Sequence, residues 1–235
     1  MTIAAMTSAL ASCGGGGSSS PAGNSSPTTI TSITPVGIVA SASSQPLSIL
    51  GTNFVNGMTV SVTDKAGTTN YATDTLIVSS STVITVNVNT TTTVPTDNYV
   101  NVIVKSSSGT TLATAVLGVA SATRTLAADV QSILISKCGT CHDGLVTSAY
   151  LDMQTYAAIS SANMTGVIGI PSTNCSPKFR VVPGDPRRSS SVLIDKIQAT
   201  IGQPACSGDP MPRGGPQLTG TEIQTIIDWV AGGAN

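Results

Sequence analysis

The sequence has few aromatic and few charged residues. Phe, Tyr and Trp make up 3% of the 235 residues, and Asp, Glu, Lys and Arg make up 9%. This composition disfavours a core built on large aromatic side chains. The net charge of −1 provides no basic surface, which argues against a nucleic-acid partner. No apolar run reaches the roughly 18 residues that a transmembrane helix needs.

Histidine occurs once, as His142, directly after the segment Cys138-Gly-Thr-Cys141. Three chemistries use cysteines at this spacing: a zinc site, a thiol redox pair and the covalent attachment of haem. A structural zinc site needs four ligands, and its cysteines usually come in paired CxxC knuckles. The remaining candidates, Cys175 and Cys206, are too far apart in the sequence to form a second knuckle.

A thiol redox pair of the thioredoxin kind is expected at a strand-to-helix turn of a βαβ unit. Here the cysteines follow the apolar segment DVQSILISK, which is typical of a helix, and no parallel-sheet pattern surrounds them. The order Cys-x-x-Cys-His is the spacing for haem attachment. Both sulfurs bond the haem vinyl groups, and the adjacent imidazole binds the iron. The pentapeptide therefore favours haem over zinc or a dithiol.

Charge is unevenly distributed along the chain. Five charged side chains lie before residue 123 and sixteen lie after it. This shift predicts a domain boundary near the segment SATRTLAAD. Before it, residues 14–28 form a Gly/Ser-rich linker with almost nothing to bury.

Residues 29–121 contain short β-branched segments separated by turn signals. They include TSITPVGIVA, PLSILGTNF, MTVSVTD, TVITVNVN and YVNVIVKS, and this spacing predicts about seven strands in a β-sandwich. The segment ITPVG…LSILGTNFVNGMTVSV resembles the IPT/TIG family of immunoglobulin-like domains. That resemblance implies structural roles for Gly51, Asn53 and Phe54, and a spacer or docking role for the module.

The segment Leu10-Ala11-Ser12-Cys13 resembles the lipobox of bacterial lipoproteins. The resemblance implies cleavage before Cys13 and lipidation of that cysteine. The mature chain would then be exported and anchored to a bacterial membrane, expected to be the outer one, in the periplasm or at the cell surface. The Gly/Ser run that follows would act as its tether.

Two segments of the last third carry a further resemblance. VVPGDPRRSSSVLIDKI and MPRGGPQLTGTEIQTIIDWVAGGA are similar to the corresponding segments of class I monohaem cytochromes c, in a variant found in bacterial lipoproteins. The resemblance implies one haem c attached at Cys138 and Cys141, with His142 and Met211 as the axial iron ligands. A thioether sulfur suits iron in an apolar pocket. Packing is the expected role of Met153 and Met164.

Three helices are predicted around this site, in the segments TLAADVQSILISKC, GDPRRSSSVLIDKIQAT and TGTEIQTIIDWVAGG. We expect Asp185 to cap the second helix, with Pro186 in its first turn. Thr219 and Glu222 have the spacing of a capping box at the start of the third.

Two further sets of residues are expected to support the haem site. In an exported chain, Cys175 and Cys206 are expected to form a disulfide worth about 3–4 kcal/mol. Arg180, Arg187 and Arg188 belong to a basic run that would contact haem propionates or an acidic redox partner.

Together these patterns predict a multidomain chain. A signal and lipobox (1–13) and a flexible linker (14–28) precede an all-β immunoglobulin-like sandwich (29–121), which an all-α cytochrome c domain (122–235) follows. The predicted function is one-electron transfer to and from redox protein partners, and not enzymatic catalysis. Two alternatives stay open: a haem peroxidase or gas-binding haem protein with an open axial site, and a surface binding protein acting through its β-sandwich.

Overall fold

The computed structural model describes eight ranges of the chain. They are residues 26–41, 43–90, 93–143, 151–160, 167–172, 175, 177–198 and 209–235. Cys13, Met164 and Cys206 lie outside these residues, as do the predicted signal segment and most of the linker.

Eight β-strands occupy residues 29–120. They are β1 (Thr29–Thr34), β2 (Gly37–Val39), β3 (Gln45–Thr52), β4 (Thr59–Thr63), β5 (Asn70–Ser80), β6 (Val83–Asn89), β7 (Tyr99–Lys105) and β8 (Thr111–Ala120). Every pair is antiparallel except β2 and β8, which run parallel. The central strands follow the two-residue period of a half-buried strand, as in β6, where Ile84, Val86 and Val88 all point into the core.

The strands form one hydrogen-bonded sheet in the order β1-β3-β6-β5-β4-β7-β8-β2. Its continuity depends on β5, which pairs with β6 on one side and with β4 on the other. The edge strands β1 and β2 follow each other in the chain, separated only by Pro35 and Val36. The two edges therefore lie close together, and the sheet curves into a near-barrel.

The predicted fold class is wrong. In place of a sandwich followed by an all-α domain, the structure is mostly this one eight-stranded sheet, and the residues it describes include four short α-helices of 4 to 12 residues. Between the helices, isolated bridges join Ile168 to Val181 and Phe179 to both Pro171 and Ser191. Prolines recur through this part of the chain, and each one removes a backbone donor and disfavours a helix interior. Among the described residues, accordingly, no α-helix exceeds 12 residues.

A π-helix (Leu126–Val130) continues directly into α1 (Gln131–Cys138). They are followed by α2 (Tyr156–Ile159), α3 (Val192–Gln198) and α4 (Gly220–Ala231). The first and last predicted helices are confirmed, and so is the capping box of Thr219 and Glu222. The second prediction is wrong at its start, because α3 begins at Val192. The carboxylate of Asp185 instead accepts hydrogen bonds from Arg187, and a turn over residues 188–190 precedes the helix.

A second hydrophobic core lies among these helices, separate from the core of the sheet. It is centred on Leu134, Ile194, Ile226 and Trp229, all of which are fully buried. The Trp229 indole donates to the Asn235 carbonyl over 3.1 Å. Within the described ranges, none of the helices has the length and hydropathy needed to cross a bilayer.

The sheet and the helical part meet along a seam of close backbone contacts. Gly37 and Gly118, paired in β2 and β8, both lie against the carbonyl oxygen of Ala231 at the end of α4. A Cβ at either position would overlap that oxygen. Beside them, the buried carboxylate of Asp228 accepts hydrogen bonds from the backbone N–H and the hydroxyl of Ser121. The seam therefore fixes α4 on the end of the sheet.

Candidate functional site

The Cys-x-x-Cys-His segment forms a tight turn at the end of α1. Cys138 is the last residue of the helix, and its carbonyl oxygen accepts the N–H groups of Cys141 (3.1 Å) and His142 (2.9 Å). Gly139 is required between them, because a Cβ there would lie 2.7 Å from the Ile135 carbonyl oxygen. One carbonyl thus organises both cysteines and the histidine.

Neither Cys138 nor Cys141 is in a disulfide, and the two thiols differ in exposure. Cys138 is buried and Cys141 is exposed. Burial, and secondarily the neighbouring Cys141, raises the pKa of the Cys138 thiol to about 11. In thiol–disulfide enzymes the reactive cysteine has a lowered pKa. The Cys138 environment therefore does not resemble that of a redox-active thiolate.

After His142 the chain turns back on itself. The His142 carbonyl oxygen accepts the N–H of Met153 over 2.8 Å, and an isolated bridge joins Asp143 to Asp152. Met153 is 4% exposed, belongs to the helical core and has its carbonyl oxygen beside Gly139. Met153 therefore packs directly against the turn, so it is the second methionine to consider at this site.

Met211 lies in the loop between α3 and α4 and is partly buried. Its N–H donates to the carbonyl oxygen of Lys196 in α3 over 3.1 Å. The side-chain amide of Gln217 donates to the carbonyl oxygens of Pro212 (3.0 Å) and Gly215 (3.3 Å). Gln217 therefore holds the methionine loop in a closed shape.

Lys137 connects this loop to the cysteine turn. It immediately precedes Cys138, and its Nζ donates to the Gln217 carbonyl oxygen over 3.2 Å and lies 3.6 Å from Glu222 Oε1. Both side chains of the ion pair are mostly shielded from solvent. The structure thus brings together α1, which carries the cysteines and histidine, and the loop that carries Met211. Lys137 and Gln217 were not predicted as site residues, because no local sequence pattern marks a contact between residues so far apart.

The three predicted arginines lie in different surroundings. Arg180 is 7% exposed, and its burial lowers the pKa of the guanidinium. Arg187 donates from Nε and Nη2 to Asp185, at 2.8 and 2.6 Å, and this contact raises its pKa. Arg188 donates from Nε to Asp195 over 3.0 Å. Carboxylates of the same chain thus hold Arg187 and Arg188. The predicted contacts of the three arginines with haem propionates or an acidic partner stay predictions.

The remaining predicted site residues are cysteines. Cys175 is buried and disulfide-bonded, so its sulfur is not available as a zinc ligand. Cys206, its predicted partner, and Cys13, the predicted lipidation site, lie outside the described residues, so both assignments stay predictions. In the part of the chain that the structure describes, no three His, Cys, Asp or Glu side chains are grouped so as to hold a metal ion.

Comparison with known proteins gives no match at the level of sequence. No protein-family model matches the chain, and no curated protein matches it either. The resemblances to lipoproteins, IPT/TIG domains and class I cytochromes c stay predictions.

Proposed function

We propose that this chain is an exported c-type cytochrome that carries single electrons through one covalently attached haem. The observation that carries the proposal is the turn at the end of α1. It places two cysteines outside any disulfide and the chain's only histidine around one backbone carbonyl. Two thiols followed by an imidazole are the donor set that haem c requires.

Each residue has a distinct role in this proposal. Cys138 and Cys141 would form the thioether links to the haem, and His142 and Met211 would bind its iron. When bound, the haem iron supplies the one-electron couple. The chain itself keeps the ligands in place: Lys137 and Gln217 hold the methionine loop beside α1.

The proposed cellular location rests on the lipobox-like segment that ends at Cys13. Lipidation at Cys13 would anchor the chain to a bacterial membrane, and residues 14–28 would give the folded part reach from the surface. The protein would act in the periplasm or at the cell surface as an electron carrier between redox protein partners. With His142 and Met211 both bound to the iron, no position would be open to a substrate, so the proposal is electron transfer and not catalysis.

The test is an absorption spectrum of the full chain, produced in a bacterial host that attaches haem c. We expect a low-spin haem that stays bound after denaturation, with the weak long-wavelength band of a methionine–ferric bond. Met211→Leu removes the sulfur at nearly constant volume and should abolish that band. Met153→Leu, the matched change at the other methionine of the site, should preserve it.

Three outcomes would contradict parts of the proposal. Absence of covalent haem would overturn it and return the cysteines to zinc or thiol chemistry. Loss of the band in Met153→Leu alone would make Met153 the ligand and overturn the role of Met211. A high-spin wild-type protein that binds cyanide or carbon monoxide readily would instead support a haem protein with an open axial site.

A further inference from the structure

A polar cleft lies between the sheet and the helical part, lined by residues that are not in the cysteine turn or the methionine loop. Its volume is about 320 Å³, within the range of small-molecule sites, which often occur where two parts of a fold meet. One wall consists of Lys65, in the β4–β5 turn, and residues 96–99 at the start of β7. The other consists of residues 186–189, the end of α3 and Ile227 of α4.

Three cationic side chains line the cleft. Lys65, Arg187 and Arg188 line it together with a single carboxylate, Asp97. Lys65 lies 3.3 Å from Asp97, and both side chains are well exposed. The exposed part of the lining is more polar than apolar. Arg187 and Arg188 are paired as well, with Asp185 and Asp195, so an anionic group entering the cleft would meet cationic donors whose charges carboxylates already balance in part.

The arginines keep donors for a ligand. Arg187 uses Nε and Nη2 on Asp185, which leaves Nη1. Arg188 uses only Nε on Asp195, so neither of its terminal nitrogens has a hydrogen bond to a described residue. A guanidinium offers five N–H donors in a fixed plane that matches carboxylate geometry. Both groups can therefore hold a carboxylate without giving up their present partners.

The cationic groups of the helical wall are held in place before any ligand arrives. The Arg187 guanidinium lies 5.8 Å from the ring centre of Tyr99, which is only 7% exposed. Asp195, which holds Arg188, is itself buried and also binds Lys178 over 3.4 Å. Because these side chains are already ordered, binding would cost little further conformational entropy.

Neutral polar side chains complete the lining. Thr96, Ser189 and Gln198 provide hydroxyl and amide groups beside the cations. Such groups hydrogen-bond to hydroxyls of a ligand, whereas the cations bind its carboxylates. We propose that the cleft binds a small hydroxylated carboxylate. The proposal does not depend on haem, and it assigns Arg187 and Arg188 an anion other than a propionate.

The experiment is titration calorimetry of the full chain with citrate at constant ionic strength. We expect saturable 1:1 binding with a Kd at or below about 1 mM. Tricarballylate, which is citrate without its hydroxyl, should bind more weakly. Arg188→Gln should weaken citrate about tenfold and Lys65→Gln several-fold, because each removes a charge-assisted hydrogen bond. Arg213→Gln and Lys105→Gln, matched changes at residues that do not line the cleft, should leave the Kd unchanged.

Several outcomes would overturn the proposal. Absence of citrate binding, binding of tricarballylate as tight as that of citrate, or tighter binding of inorganic phosphate than of citrate would each contradict a site for a hydroxylated carboxylate. An equal loss of citrate affinity in the control variants would show that citrate responds to non-specific charge. Arg188→Gln leaves the ion pair between Lys178 and Asp195 in place, so we expect this variant to fold. Trp229 fluorescence checks that it does. If that variant fails to fold, Lys65→Gln decides, because Lys65 is 61% exposed and its replacement disturbs no core.

Discussion

At the scale of single residues, one carboxylate organises the turn after β4. Asp64 accepts hydrogen bonds from the hydroxyl (2.7 Å) and N–H (2.8 Å) of Thr68 and from the N–H of Thr69 (3.1 Å). These bonds, the Thr68 side chain first, lower the pKa of Asp64 from 3.8 to about 2. A lowered folded-state pKa means that the carboxylate stabilises the fold above pH 3.8 and that this contribution is lost as pH falls through about 2.

The prediction is checked by carboxyl NMR titration of the full chain. Asp64 should titrate near pH 2. Asp64→Asn should reduce the loss of stability on acidification below pH 3.8. Asp74→Asn is the matched control for the loss of a carboxylate, because Asp74 accepts one hydrogen bond, from Ser44. A midpoint for Asp64 near 3.8 would show that the turn does not hold its carboxylate in solution.

At the scale of elements, the start of α4 depends on its capping box. Thr219 Oγ1 accepts the Glu222 N–H over 3.2 Å, and Glu222 Oε2 accepts the Thr219 N–H over 2.7 Å. Thr219→Ala should lower the free energy of unfolding by about 1 kcal/mol. Thr221→Ala, an exposed change within the first turn, should have a much smaller effect. Urea unfolding measures both, and equal losses would indicate a general effect of removing threonine.

The elements that the sequence predicted well are those with local signals. The apolar spacing and the capping residues of α4 lie within one segment, so they predict the helix. An aspartate before a proline suits a helix cap, which is why the sequence predicts Asp185 as the cap of α3. In the structure the Asp185 carboxylate binds Arg187 instead, and the helix begins later. Strand β5 alternates only between half-buried and exposed residues, so its sequence gave little sign that it would join β6 to β4. The single curved sheet therefore could not be predicted from the strands.

The same distinction holds for the two candidate sites. The cysteine turn is local: its residues and its hydrogen bonds fall within five positions, and its spacing alone suggests haem. The contact of Lys137 with Gln217 joins residues 80 positions apart. The cleft depends on Lys65 and Arg188, which belong to different parts of the fold. Neither the contact of Lys137 with Gln217 nor the cleft has a local sequence pattern, so both can be recognised only in the tertiary structure.

At the scale of the whole molecule, the seam connects two hydrophobic cores that are otherwise separate. The contact is made by backbone: Gly118 in β8 lies against the carbonyl oxygens of Ala231 and Gly184, and Gly184 in turn lies against that of Val36. Backbone atoms cannot rotate away as a flexible side chain can. A methyl group at Gly118 must therefore push α4 off the sheet.

The last prediction concerns the cooperativity of unfolding. Trp229 is the only tryptophan and is fully buried in the helical core, so its fluorescence reports on that part, whereas the methyl NMR signals of Ile84, Val86 and Val88 report on the core of the sheet. In the wild-type protein the two signals should change in one urea transition, because the seam joins the cores. Gly118→Ala should cost about 1–3 kcal/mol, as overpacking does. It should also move the fluorescence transition to lower urea than the transition of the methyl signals.

Gly220→Ala is the matched control, since a Cβ at the exposed start of α4 meets no atom within 4 Å. It should leave both signals coincident and stability unchanged or slightly raised, because alanine favours the helix. Coincident transitions in Gly118→Ala at the wild-type midpoint would mean that the seam adapts to the methyl group. The two cores would then be held together by Asp228 and Ser121 more than by the close backbone contacts.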